Sequence, residues 1–245
     1  MILETRDLTK QFGGFTAIDH VSMGFPEDEL VAVIGPNGAG KTTFFNLVTG
    51  SLKPTSGAII FRGTDITDSS PEDIANLGLC RSYQTTTLFE ELSVFRNVRI
   101  ATISNHNYYR FWRETDDYTE ANETAAAVLE RVGLAEKRDV LTKNLSHGDR
   151  RTLEIGVALG TDPHMLLLDE PTSGMSPEET QEVINLVGNL ATEFPIAIVE
   201  HKMSVVMAVA DRIIVLHNGQ KLAEGTPEEV RRNQDVREVY LGTQT

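Results

Sequence analysis

Hydrophobic and polar residues alternate through Met1–Leu8 and again through Thr16–Phe25, the period-two pattern of strands with one covered face. The next apolar run differs: Glu29–Gly35 (ELVAVIG) is nearly continuous and β-branched, as a strand buried on both faces should be, and it stops at a glycine-rich loop. A helical pattern follows over Thr42–Thr49, then a short strand at Ala58–Phe61 and a helix at Pro71–Leu77 with proline in its first turn. Between about Glu90 and Leu145 the periodicity turns helical, at Ser93–Ala101 and Tyr118–Val132, with Gly133 as a C-cap. The aromatic, charged stretch Asn105–Asp117 between them has no clear period. This predicts a helical subdomain inserted at about residues 90–155.

Alternation then resumes. A helix over about His147–Gly160 leads to a strand at Met165–Asp169, and a helix at Pro177–Thr192 to a strand at Ile196–Glu200. A helix at Met203–Ala210 leads to a strand at Arg212–Leu216. Helices interleaved with buried apolar strands predict an α/β fold on a mainly parallel sheet, preceded by an N-terminal antiparallel β subdomain. The tail Glu224–Leu241 reads as helical with a hinge at Gly225–Pro227, Thr226 being the N-cap and Pro227 the first helical residue. One domain over 1–245, ending in a helical tail over about 226–245, is the organisation expected.

Composition changes this picture by exclusion. With 40% hydrophobic and 24% charged residues in 245, wholesale disorder is ruled out and a large core is affordable. The apolar runs fall well short of the roughly 20 residues a membrane-spanning helix needs. The start MILETRDLTK lacks the basic and apolar blocks of a secretory signal, and the single cysteine, Cys80, forms no internal disulfide, so a cytoplasmic location is expected. The 22 basic against 36 acidic residues give a net charge of −14, which opposes nucleic acid as a partner. Lysines are few, which fits a high-salt cytoplasm and ordinary lineage bias equally.

The glycine-rich loop carries the first chemistry. Gly35, Pro36, Asn37, Gly38, Ala39, Gly40, Lys41 and Thr42 satisfy G-x-x-x-x-G-K-[ST] in full, between a buried strand and a helix. Such a loop turns successive backbone N–H groups, and the positive end of the helix, toward one polyanion. Lys41 would reach the β- and γ-phosphates and the Thr42 hydroxyl would coordinate Mg²⁺, with Thr43 completing the cradle. A P-loop NTPase core binding a nucleoside triphosphate is therefore expected. Four apolar residues, Met165–Leu168, then place Asp169 at the carboxyl end of a central strand, as a direct or water-mediated Mg²⁺ ligand. Glu170 beside it would polarise a water for attack on the γ-phosphate, or else only cap the turn into Pro171.

With these two motifs in order, the chain resembles the ATP-binding subunits of ABC transporters over nearly its full length. The residues that carry the resemblance are Gln84 in SYQTTTLF, the LSHGD segment Leu145–Asp149, Ser173–Ser176, and His201 in IVEHKM. The resemblance implies a Q-loop role for Gln84, touching Mg²⁺ or the attacking water and sensing the membrane subunit. It implies that His201 hydrogen-bonds the γ-phosphate and that Phe12 stacks on the adenine, with Phe15 the rival and a core role open for either. Ser146, His147 and Gly148 would contact the γ-phosphate of ATP bound by an opposite subunit, although His147 stands where the family has glycine and Asp149 where it has glutamine. Two subunits, identical or related, would then close head to tail around two ATP, with Ser173–Ser176 crossing the interface.

The segments FGGFTAIDHVS, GLCRSYQTTTLFEELSVFRNV and AEGTPEEVRRNQDVREVYLG are similar to importers of branched-chain amino acids and of urea or amides. That implies transmembrane permease subunits as partners, an extracytoplasmic solute-binding protein indirectly, and a peripheral place on the cytoplasmic face of the membrane. A soluble, non-transport ABC ATPase is the alternative, disfavoured by the single phosphate loop, the absence of a long coiled-coil insertion and the negative charge. A regulator that binds nucleotide without turnover is disfavoured by Glu170 with His201.

Overall fold

The computed structural model describes residues 1–82, 88–105 and 119–241. Its N-terminal part is an antiparallel sheet of β1 (Leu3–Phe12), β2 (Phe15–Phe25), β4 (Ser56–Phe61) and β5 (Thr64–Asp65), in the order β2-β1-β4-β5. The larger sheet holds β3 (Leu30–Ile34), β6 (Leu79–Ser82), β7 (Met165–Asp169), β8 (Ile196–Val199), β9 (Arg212–His217) and β10 (Gln220–Gly225), in the order β10-β9-β3-β8-β7-β6. Strands β9, β3, β8, β7 and β6 run parallel and β10 is an antiparallel edge. The helices are α1 (Lys41–Val48), α2 (Pro71–Asn76), α3 (Val94–Asn105), α4 (Thr119–Arg131), α5 (His147–Leu159), α6 (Pro177–Ala191), α7 (Met203–Val209), α8 (Pro227–Arg232) and α9 (Gln234–Leu241).

The apolar runs explain the layering. Side chains alternate across a strand, so a strand covered on both faces feeds two cores. Val31 and Val33 of β3, with Met165 and Leu167 of β7, join Phe25, Phe44, Phe45 and Phe61 in a core between the large sheet, α1 and the antiparallel sheet. There the rings of Phe25 and Phe44 stack with centroids 6.1 Å apart. Leu30, Ala32 and Ile34, with Leu166 and Leu168, point the other way into a second core with residues from α3 to α7. Because β3 and β7 sit inside the sheet, their carboxyl ends and those of β8 lie side by side, and the chemistry-bearing residues follow them.

The α/β fold with a mainly parallel sheet and an N-terminal antiparallel sheet agrees with the sequence pattern, and three local expectations need correction. Leu79–Ser82 was not expected as a strand, because its four residues include Arg81 and carry no apolar alternation; pairing with β7 supplies the order. Glu224 and Gly225, expected in the helical tail, end strand β10, which pairs with β9. The rest of the tail is two helices, since Asn233 interrupts it and its Oδ1 accepts the Val236 N–H at 3.1 Å.

Candidate functional site

Strand β3 ends at Ile34 and the chain turns through residues 35–40 into α1. Gly40 is the N-cap, with φ of 105° and no side-chain cap. A Cβ there would also lie 2.7 Å from the Ala17 carbonyl oxygen, so only glycine fits. Helix α1 has no acidic residue in its first turn, which leaves its N-terminal amides and dipole uncompensated by side chains. The loop is braced from behind: the Gly219 N–H, in the turn between β9 and β10, donates to Ala39 O at 3.1 Å, and Asp19 N donates to Gly219 O at 2.8 Å. Pattern reading missed this brace because the turn lies almost two hundred residues away in sequence.

Lys41 is nearly buried, and its Nζ donates to the carbonyls of Gly35 (2.6 Å) and Pro36 (3.0 Å). Burial pushes its pKa down, opposed by the negative charges of Glu170 and Asp169. Asn37, Gly38 and Thr42 are exposed, Pro36 and Thr43 half-buried, and Ala39 buried.

At the end of β7, Asp169 is buried and its Oδ2 accepts from the Arg81 guanidinium at 2.5 Å. Arg81 also donates to Asn46 Oδ1 of α1 at 2.7 Å and lies over the Phe45 ring. The edge strand β6 thus ties the acidic strand end to the helix after the phosphate loop, a link the sequence did not announce. Glu170 follows with φ of +47°, a left-handed conformation unusual outside glycine. The turn after it is closed by the backbone, Ser173 N donating to Glu170 O at 3.1 Å. Its Oε1 lies 3.7 Å from Nδ1 of His201. Behind His201, the fully buried Glu200 accepts from Thr172 N and Oγ1 (3.1 and 2.6 Å) and from His201 N (3.2 Å), which fixes the chain leaving β8.

The LSHGD segment opens α5. Ser146 is the N-cap, its Oγ accepting Asp149 N at 3.1 Å. His147 Nε2 meets Ser173 O at 3.1 Å, and the Gly148 N–H donates to Glu179 Oε1 at 3.1 Å. Asp149 pairs with Lys137 at 2.6 Å. From the next turn, Arg151 donates to the Asp169 carbonyl and pairs with Glu154 at 2.5 Å. A cavity of about 390 Å³, lined by His147, Arg151, Glu170 and Ser173 among others, joins this segment to the end of β7.

Phe12 and Phe15 face each other across the β1–β2 hairpin, exposed by 46% and 64%, so neither belongs to a core. Lys10 Nζ lies 5.1 Å from the Phe12 ring centroid. Gln84 lies outside the described residues. Among those described, no group of three or more His, Cys, Asp or Glu is arranged to hold a metal ion, and no helix is long and apolar enough to cross a membrane.

Comparison with known proteins now decides the family. The ABC transporter family model matches residues 18–173, and a branched-chain amino acid ATP-binding cassette transporter model matches residues 220–244. The chain belongs to the ABC transporter family. It is 40% identical to the high-affinity branched-chain amino acid transport ATP-binding protein LivG of Salmonella typhimurium, over 98% of both chains. Against BraF of Pseudomonas aeruginosa, described in the same words, identity is 39% with the same coverage. The solved ADP conformation of an ATP-binding cassette of an ABC transporter superposes with a TM-score of 0.87, at 33% identity and over 98% of both chains. A nucleotide-free cassette gives 0.85 at the same identity and coverage. The chain is thus an ABC ATPase, and ATP is its nucleotide.

Proposed function

We propose that this ABC ATPase powers an importer for branched-chain amino acids, docked on permease subunits at the cytoplasmic face of the membrane. What carries the reading is the convergence at three neighbouring strand ends: the phosphate loop after β3, Asp169–Glu170 after β7 and His201 after β8. The cargo class is supported by the relatives' names and by the match of the tail. Urea or amides are the second reading, from the sequence resemblance alone.

In this reading residues 35–43 hold the triphosphate, with Lys41 leaving the loop carbonyls for the β- and γ-phosphates, and Phe12 stacks on the adenine at the hairpin tip. Thr42, Asp169 and Gln84 supply only oxygen donors, the set suited to Mg²⁺. Bound there, the ion neutralises charge on the β- and γ-phosphates. Glu170 accepts a proton from water as its oxygen attacks the γ-phosphorus and the bond to the β-phosphate oxygen breaks. His201, beside Glu170, hydrogen-bonds the γ-phosphate and keeps the pair in line. Ser146, His147 and Gly148 meet the γ-phosphate held by a second ATP-binding subunit, so that ATP favours the closed pair and hydrolysis releases it.

Two measurements test this. Glu170→Gln should bind ATP and accumulate ATP-dependent dimers on a sizing column, whereas a wild-type turnover rate would remove Glu170 from the chemistry. Permease subunits should co-purify with the tagged chain from detergent-solubilised membranes, and cells lacking the gene should lose high-affinity leucine uptake. Unchanged leucine uptake with impaired urea uptake would hand the cargo to the second reading.

A further inference from the structure

The Gly148 amide, which the proposed function gives to a γ-phosphate, already holds an anion. One carboxylate, Glu179, spans the N-termini of two helices: Oε1 accepts from Gly148 N at 3.1 Å and Oε2 from Ser176 N at 3.0 Å. Its own N–H donates to Ser176 Oγ at 3.2 Å, the reciprocal half of the capping box of α6. Both helix ends are positive, and the Ser176 and Gly148 amides hold its pKa below the ordinary carboxylate range. The fit is close, since a Cβ at residue 148 would lie 2.7 Å from Oε1. Glycine at this position is what lets the carboxylate in. Beside it, His147 Nε2 meets Ser173 O, so the turn is tied once to α6 and once to the β7–α6 connection.

We propose that Glu179 is a resident counter-anion of the LSHGD turn, which a γ-phosphate from the second subunit must displace for the ATP-bound pair to close. This deepens the two-subunit reading and rests on it. The phosphate and the carboxylate are both negative and compete for the same N–H. ADP brings no γ-phosphate and leaves Glu179 in place, so the exchange makes closure selective for the triphosphate.

The test compares Glu170→Gln with the double variant Glu170→Gln/Glu179→Gln, titrating each with ATP and Mg²⁺ and reading the dimer by light scattering. Glutamine at this position retains the capping box of α6 and removes the charge. The ATP concentration for half-maximal dimer should fall at least about tenfold in the double variant, the scale of one charge-assisted hydrogen bond. An unchanged or higher midpoint overturns the proposal while leaving the two-subunit reading intact. No dimer in either variant removes that reading and the proposal with it. Without nucleotide, amide hydrogen exchange at Gly148 should be slow in the parent and faster in the double variant; equal rates would show that Glu179 does not hold this amide.

Discussion

Helix α1 starts at Gly40 with no side-chain cap and no acid in its first turn, whereas α5 starts at Ser146 with its cap made and the Gly148 amide on the Glu179 carboxylate. Both ends are read as phosphate contacts, yet only one lacks a competing anion. The N-terminal amides of a helix attract negative charge wherever they are exposed. Which charge they meet is set by what else the fold brings there. At α1 the nearby ionic groups are Lys41, from α1 itself, and Asp169 and Glu170, from the end of β7. At α5 the first turn of α6 brings its own carboxylate, Glu179. On the proposed reading, the open cradle takes nucleotide on one subunit alone, whereas the occupied one engages when a γ-phosphate displaces the carboxylate.

Breaking the open cradle should give the largest effects. Glu170→Gln should lower ATP turnover about a thousandfold, the usual weight of a general base, with ATP binding retained. Lys41→Ala should weaken ATP binding at least about a hundredfold in a fluorescent-nucleotide titration, because the proposed function gives this nearly buried charge to the phosphates. An unchanged titration would put the nucleotide elsewhere. Arg81→Met leaves the buried Asp169 carboxylate without its guanidinium partner and should cost about 3 kcal/mol, read as a lower midpoint in urea.

Loosening the occupied end sharpens the contrast more gently. Ser176→Ala removes the hydroxyl that caps α6 and orients Glu179, and should cost about 1 kcal/mol of stability. Acidification should act in the same direction. The carboxylates of Asp73, Glu179 and Glu229 are all held below their ordinary pKa by cap hydrogen bonds. Their stabilisation is complete above the ordinary carboxylate range and fades as pH falls through the depressed values. A slow loss of stability below about pH 4.5 is expected, and a protein equally stable at pH 3 would show that these caps contribute nothing.

Residues that are adjacent in sequence were the legible ones. The loop Gly35–Thr42 announces itself because its donors come from one unbroken stretch between a strand and a helix, and Asp169–Glu170 because four apolar residues point to a strand end. Arg81, Glu179 and the Gly219 brace gave no such signal. Arg81 lies in a strand too short and polar to show a period, and its partners are Asn46 and Asp169, far along the chain in both directions. Glu179 reads as an ordinary acidic residue in the first turn of a helix, which it is; only packing puts α5 beside it. Gln84 was assigned by resemblance alone and lies outside the described residues.

The sequence alone settled which backbone segments are strand, loop and helix around the phosphate cradle, since local pattern and glycine geometry act over a few residues. The tertiary structure decided which of the two helix ends stands open. That depends on a carboxylate brought thirty-one residues along the chain to within hydrogen-bond reach, and such a distance is set by how helices pack, not by any periodicity.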